Sequence, residues 1–172
     1  MSAARPTLGG DLAVADDAVY RAVFLRMHPT GKAVLSLSEE SQGQEAMLAQ
    51  VAAEELGIPP EDIKVVHEDT DRFGEGNSFN SSPSEVVADN VAITARKLRD
   101  KAQLIAAWML ETSPEALQWD NGHWSVARDG EGSVKIQAVA LRAFGGDSLP
   151  EAVEGSLDAQ TTYRIDAAQP TG

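Results

Sequence analysis

Two short polar stretches hold the residues with the most chemical potential. Ser41-Gln42-Gly43-Gln44 stands directly before a helical run. Glu68-Asp69-Thr70-Asp71-Arg72-Phe73-Gly74-Glu75-Gly76-Asn77-Ser78-Phe79-Asn80-Ser81-Ser82 stands before a longer one. Amides, hydroxyls and glycines at the mouth of a helix leave backbone N–H groups free beside the positive end of the helix dipole. Two such loops at a common rim would suit an anionic ligand. The second loop also bears Asp69, Asp71 and Glu75, which could hold Mg²⁺ or Ca²⁺ or serve a small hydrolase, although the Asp-Thr-Asp triplet lacks the spacing of a full calcium loop. His28, His67 and His123 show no metal-ligand spacing and read as unrelated surface or hairpin histidines. With no cysteine there is no disulfide framework, zinc ribbon, cysteine-held iron–sulfur cluster or thiol nucleophile. No residue is assigned as a metal ligand.

Positioning these loops falls to the flanking elements. Val19, Ala22 and Phe24 mix with polar Arg21 and Arg26 in a β-prone run over 18–27. His28-Pro29-Thr30-Gly31 is a turn, and Lys32 to Ser38 returns as a second strand, giving a hairpin. Glu45 to Leu56 is helical, with Leu48, Val51, Ala52 and Leu56 on one face. Ser41 is placed to cap it, and Gly57 with Pro59-Pro60 to end it. Asp62 to Val66 reads as a short buried strand paired with the hairpin. Ser84 to Glu111 is the strongest helix, its Val87, Val91, Leu98, Ala102, Ile105 and Met109 keeping a 3.6-residue period. Leu117–Asp120 and His123–Val126 flank Asn121-Gly122, the preferred pair for a type I′ turn. That register sets Trp119 opposite Trp124 and Leu117 opposite Val126, a structural tryptophan pair. Val134 to Phe144 starts as a strand and turns helical near Gln137. Thr161 to Ile165 is a last strand.

The antiparallel hairpins interleaved with helices predict an α+β fold, helices packed on a mixed, largely antiparallel sheet. The expected organisation is a tail over 1–17, one domain over 18–165 and a tail over 166–172. A net charge of −13 and the lack of a Lys/Arg stripe disfavour nucleic acid, since Arg96-Lys97-Leu98-Arg99-Asp100-Lys101 reads as a solvated helix face. No stretch approaches the ~18 apolar residues of a membrane span, and the first residues lack the apolar core of a signal peptide. A cytoplasmic protein is the expectation.

Several motifs in order carry a resemblance. They are Phe24-Leu25-Arg26-Met27-His28-Pro29-Thr30-Gly31-Lys32, Ser41-Gln42-Gly43-Gln44, Ala53-Glu54-Glu55-Leu56-Gly57-Ile58-Pro59-Pro60-Glu61-Asp62, Asp69-Thr70-Asp71, Ala95-Arg96-Lys97 and the tryptophan hairpin. Over roughly Val19 to Tyr163 the chain resembles the molybdenum-cofactor-binding large subunit of the aerobic molybdenum hydroxylases, the xanthine dehydrogenase family, and within it the carbon monoxide dehydrogenase branch. The resemblance implies an oxidoreductase subunit and a molybdopterin cofactor in its cytosine dinucleotide form. It implies Gln42, Gly43, Gln44, Asp69, Thr70, Asp71, Gly74, Gly76 and Ser82 as cofactor-binding positions. The partners it implies are the remaining large-subunit segments, an FAD subunit and an iron–sulfur subunit, with self-association as the other way to complete the surface.

The resemblance covers one internal segment of a larger subunit. The family's catalytic glutamate lies beyond it, so no catalytic residue is assigned here. Three loops depart from the family pattern. After Ser-Gln-Gly-Gln the family continues Gly-His-Glu, whereas here Gln44 runs directly into Glu45. Family Gly-Asp-Thr-Asp becomes Glu68-Asp69-Thr70-Asp71, and the family's arginine in the third loop falls at Ser81. An arginine fork over a phosphate is a strong contact, and added carboxylates oppose a pyrophosphate. The alternative reading is therefore a cofactor-free relative acting in protein interaction or assembly. The Met1 start and the unmatched acidic tail read as those of a natural small chain.

Overall fold

A computed structural model describes residues 18–38, 43–67, 84–126, 132–144 and 156–166. The elements, in chain order, are β1 Ala18–Met27, β2 Ala33–Leu37, α1 Glu45–Leu56, β3 Ile63–His67, α2 Ser84–Met109, β4 Leu117–Asp120, β5 His123–Val126, β6 Ser133–Lys135, α3 Ile136–Phe144 and β7 Leu157–Asp166. This is the expected α+β fold. The four-stranded sheet has the order β3-β2-β1-β7, and β4-β5-β6 form a second sheet.

β1 and β2 pair antiparallel, with Leu25 opposite Leu35 and Met27 opposite Ala33. β3 joins β2 in parallel, Ala33 opposite Ile63 through Leu37 opposite His67. A parallel neighbour requires a crossover, and α1 is that crossover. The expected burial of β3 holds only at Ile63, because β3 is the sheet edge and Lys64 is exposed. The last strand is longer than expected: β7 pairs antiparallel with the whole of β1, Ala18 opposite Asp166 through Met27 opposite Leu157.

One sheet face, carrying Val23, Leu25, Met27, Ala33, Leu35, Leu37 and Leu157, is fully or almost fully buried against α1 and α2. The inward phase of β1 is thus Arg21, Val23, Leu25 and Met27. Ala22 and Phe24, read as part of its apolar pattern, point the other way and are half-buried. α1 buries Leu48, Ala49, Ala52, Ala53 and Leu56, so its apolar stripe runs through the small alanines, and Val51 sits at its margin. Ser41 lies outside the described residues. Gln44, not Ser41, occupies the N-cap position and makes no side-chain cap hydrogen bond. Gly57 ends the helix in the left-handed region, its N–H donating to Ala53 O at 2.7 Å.

α2 buries Val87, Val91, Leu98, Ala102 and Ile105 as its period predicts, and also Thr94. Thr94 Oγ1 donates to Asn90 O at 2.7 Å and lies 2.7 Å from Thr161 Oγ1, whose hydroxyl is free to donate to it, so the pair is satisfied inside the core. The helix stops at Met109 because Glu111 takes φ +55° and Thr112 N–H reaches back to Ala107 O at 2.9 Å. A side chain in that region costs about 1 kcal/mol relative to glycine. Glu111→Gly is therefore expected to raise stability by about 1 kcal/mol, read as a shifted urea midpoint with an unchanged slope.

The tryptophan hairpin has the expected register, Leu117 opposite Val126 and Trp119 opposite Trp124. Asn121 at φ +43° and Gly122 at φ +102° form the turn. The ring centroids of Trp119 and Trp124 are 4.6 Å apart, their planes inclined by 55°. Arg99 on α2 joins this unit to α1: it lies 5.1 Å over the Trp119 ring and donates from Nη1 to Glu55 O at 2.9 Å.

Candidate functional site

The parallel pair β2 and β3 sets the location. Both strands run toward the same edge, so the chain leaving β2 after Leu37 and the chain leaving β3 after His67 emerge together. α1, the crossover between them, must begin at that edge. Strand C-termini combined with a helix N-terminus are the usual ligand-binding edge of a parallel unit. α2 begins there as well. Its Thr94 meets Thr161 and its Lys97 donates to Gln160 O at 3.1 Å, so α2 runs against β7. Its N-terminus thus lies toward the Asp166 end of β7, which pairs with the start of β1. The β1 start in turn lies beside the C-terminal end of β2, through Val23 opposite Leu37.

Of the residues assigned from sequence, Gly43 and Gln44 are placed at this rim. Gly43 is exposed with φ +77°, and no described neighbour lies within 4 Å of where its Cβ would stand. Gln44 precedes α1, and its carbonyl accepts the first helical hydrogen bond from Leu48 N–H at 2.9 Å. Gln42, Asp69, Thr70, Asp71, Gly74, Gly76 and Ser82 lie outside the described residues, as do Ser41, Glu68, Glu75 and Ser81. Their anchors, His67 and Ser84, end β3 and begin α2 at the same edge.

Two placements escaped the reading of the sequence, which noted Glu45 only as an added carboxylate. Glu45, the first residue of α1, sets Oε2 3.8 Å from His67 Nε2. His67 thus stands at the rim, where the end of β3 comes beside the mouth of α1. The sequence signal was its position as the last residue of a strand followed by a polar loop. Arg21 is the second, 7% exposed on the core face of β1 and opposite Tyr163. It shares the parity of Val23, Leu25 and Met27, the inward phase of β1.

A cofactor bearing a pyrophosphate can be tested against this geometry. The first turn of α1 has N–H groups without a side-chain cap, and the space beside Gly43 is open, both of which fit an anion. The Glu45 carboxylate opposes it in part, with its charge directed at His67. Among the described residues no group of three or more His, Cys, Asp or Glu could hold a metal ion. No described helix is long and apolar enough to cross a membrane.

A βαβ rim with two helix mouths, set in an α+β layer, is a geometry that can receive an anionic group. The chain belongs to the molybdopterin cofactor-binding domain family, which matches residues 7–172. It is 33% identical over 148 residues to the carbon monoxide dehydrogenase large chain of Afipia carboxidovorans, covering 84% of this chain and 18% of that protein. It is 33% identical over 148 residues to the nicotine 6-hydroxylase large subunit of Paenarthrobacter nicotinovorans, again 84% of this chain and 18% of that one. The crystal structure of the Cu,Mo-CO dehydrogenase in its carbon monoxide reduced state superposes with a TM-score of 0.69 at 26% identity, covering 93% of this chain and 25% of that chain. The chain therefore corresponds to one segment of molybdenum hydroxylase large subunits and spans 18% of the length of these curated relatives.

Proposed function

We propose that this chain supplies one wall of the molybdopterin site in a molybdenum hydroxylase large subunit. The observation that carries this reading is the convergence of two helix N-termini at the C-terminal edge of β2 and β3, with the α1 mouth uncapped and open at Gly43. The N–H groups of the first turn of α1, with Gly43 and Gln44, would hold the cofactor's anionic portion. Gln42, Asp69, Thr70, Asp71, Gly74, Gly76 and Ser82 would complete the contacts. The cytosine dinucleotide form is the proposed variant. When bound, the molybdenum centre supplies the oxidation chemistry; the role of this chain is to bind and orient. The catalytic base would lie on another segment of the large subunit, and electrons would leave through iron–sulfur and FAD subunits. The proposed setting is the cytoplasm.

A second reading, a cofactor-free relative acting in assembly, is favoured by one observation. Glu45 places a carboxylate in the first turn of α1, where an incoming pyrophosphate would otherwise meet only N–H groups. The test is pterin and molybdenum per chain, measured on protein from a molybdenum-sufficient host, alone and after pull-down with its native partners. Near-stoichiometric pterin in the complex is expected. Glu45→Gln is expected to strengthen pterin retention by up to about fivefold, the reach of one charge at a helix end. Pterin absent from chain and complex alike, in both proteins, overturns the first reading in favour of the second.

A further inference from the structure

At the other end of α2, about 39 Å from its N-terminus at 1.5 Å per residue, a surface hollow of about 580 Å³ opens between α2 and α3. Its lining is Ala107, Trp108, Met109, Glu111, Thr112 and Arg142. This size lies within the range of small-molecule sites. We propose that this hollow binds a small zwitterion, a carboxylate and an ammonium joined by a short apolar linker.

The charges define the ligand. The Arg142 guanidinium stacks 4.7 Å from the Trp108 ring centroid. The other arginines with described ion pairs, Arg26, Arg96 and Arg99, face Asp158 or Glu55. Arg142 makes no ion pair among the described residues, and stacking on a flat ring holds its N–H edge in one plane for a carboxylate. Glu111 lines the same hollow and forms no ion pair with Arg142. It stands just past the carbonyl end of α2, where the helix dipole also favours a cation. The hollow thus presents one cationic and one anionic group that do not neutralise each other, over a floor of Ala107, Trp108 and Met109. A simple anion would meet the Glu111 carboxylate, and a simple cation would meet Arg142. A zwitterion avoids both penalties and satisfies both groups.

The probes are 4-aminobutyrate and 6-aminohexanoate, with hexanoate and hexylamine as single-charge controls. The readout is the Trp108 indole N–H resonance of the full chain, assigned by its loss in Trp108→Phe. The expected result is a saturable shift of that resonance with at least one zwitterion, while the Trp119 and Trp124 signals stay in place. Binding is expected to weaken about fivefold in Arg142→Gln and in Glu111→Gln, and to be weaker for both controls on the wild-type protein. Both variants alter exposed side chains, and an unchanged melting curve checks that they fold. The wild-type comparison of zwitterions with controls decides the matter without them. No saturable shift with either zwitterion, or hexanoate or hexylamine binding as tightly, overturns the proposal.

Discussion

Gly122→Ala is expected to cost at least about 3 kcal/mol and to leave little folded protein in mild urea. Gly122 sits at φ +102°, and a Cβ there would stand 2.5 Å from the carbonyl oxygen of Gly57. Gly57 caps α1 at φ +70°, and a Cβ on it would stand 2.1 Å from Gly122 N. Each neighbour is backbone, so no flexible side chain can yield. Gly122 O also accepts the N–H of Ile136, the first residue of α3, at 2.8 Å. One contact therefore joins the end of α1, the hairpin turn and the start of α3. Gly57→Ala should cost a similar amount. The double variant should cost less than the sum, because one separation of the two backbones relieves both clashes. Gly43→Ala is the control. It shares a positive φ of +77° but meets no described neighbour, so it should cost only about 1 kcal/mol. Equal losses for Gly122→Ala and Gly43→Ala in urea titrations would falsify the close approach.

How much of this was legible in the sequence depends on the kind of signal each element carries. The tryptophan hairpin could be read to the residue, because Asn121-Gly122 fixes the turn type and the turn type fixes the register. The long helix was equally plain, since a 3.6-residue period over seven turns has no rival reading. The phase of β1 was hidden because Ala22 and Phe24 are apolar on one face while Val23, Leu25 and Met27 are apolar on the other. The buried Arg21 also looks like a surface residue. β7 was read only from Thr161 to Ile165 because Leu157-Asp158-Ala159-Gln160 carries one large apolar residue, and it is a strand only through its pairing with the distant β1. Pairing of that kind is invisible to local pattern. The candidate site followed the same rule. Gly43 and Gln44 were legible as the mouth of a helix, whereas the Glu45–His67 contact exists only because β3 lies parallel to β2 and returns beside α1.

Trp124→Ala is expected to destabilise the protein by about 3–5 kcal/mol, the usual cost of removing a large buried aromatic side chain. Trp124 is fully buried, its ring packs against Trp119 at 4.6 Å, and its Nε1–H donates to Gln103 Oε1 at 3.3 Å on α2. Removing it leaves a cavity and strands a polar partner. Trp119→Ala should cost about 1–2 kcal/mol less, since that ring is half-buried, although it also removes the platform under Arg99. A double-mutant cycle on the two rings should return a coupling of about 0.5–1.5 kcal/mol. The more telling measurement is amide hydrogen exchange in Trp124→Ala. Gly122 presses on the end of α1, and Arg99 links Trp119 to Glu55 on the same helix. Loosening the hairpin should therefore speed exchange in α1 as well as in β4 and β5. Faster exchange confined to the hairpin would show that the three-stranded sheet opens as a separate unit. Faster exchange reaching α1 would mean that the hairpin, remote from the rim, holds the helix whose N-terminus forms it. A variant far from Gly43 and Gln44 would then also weaken cofactor retention.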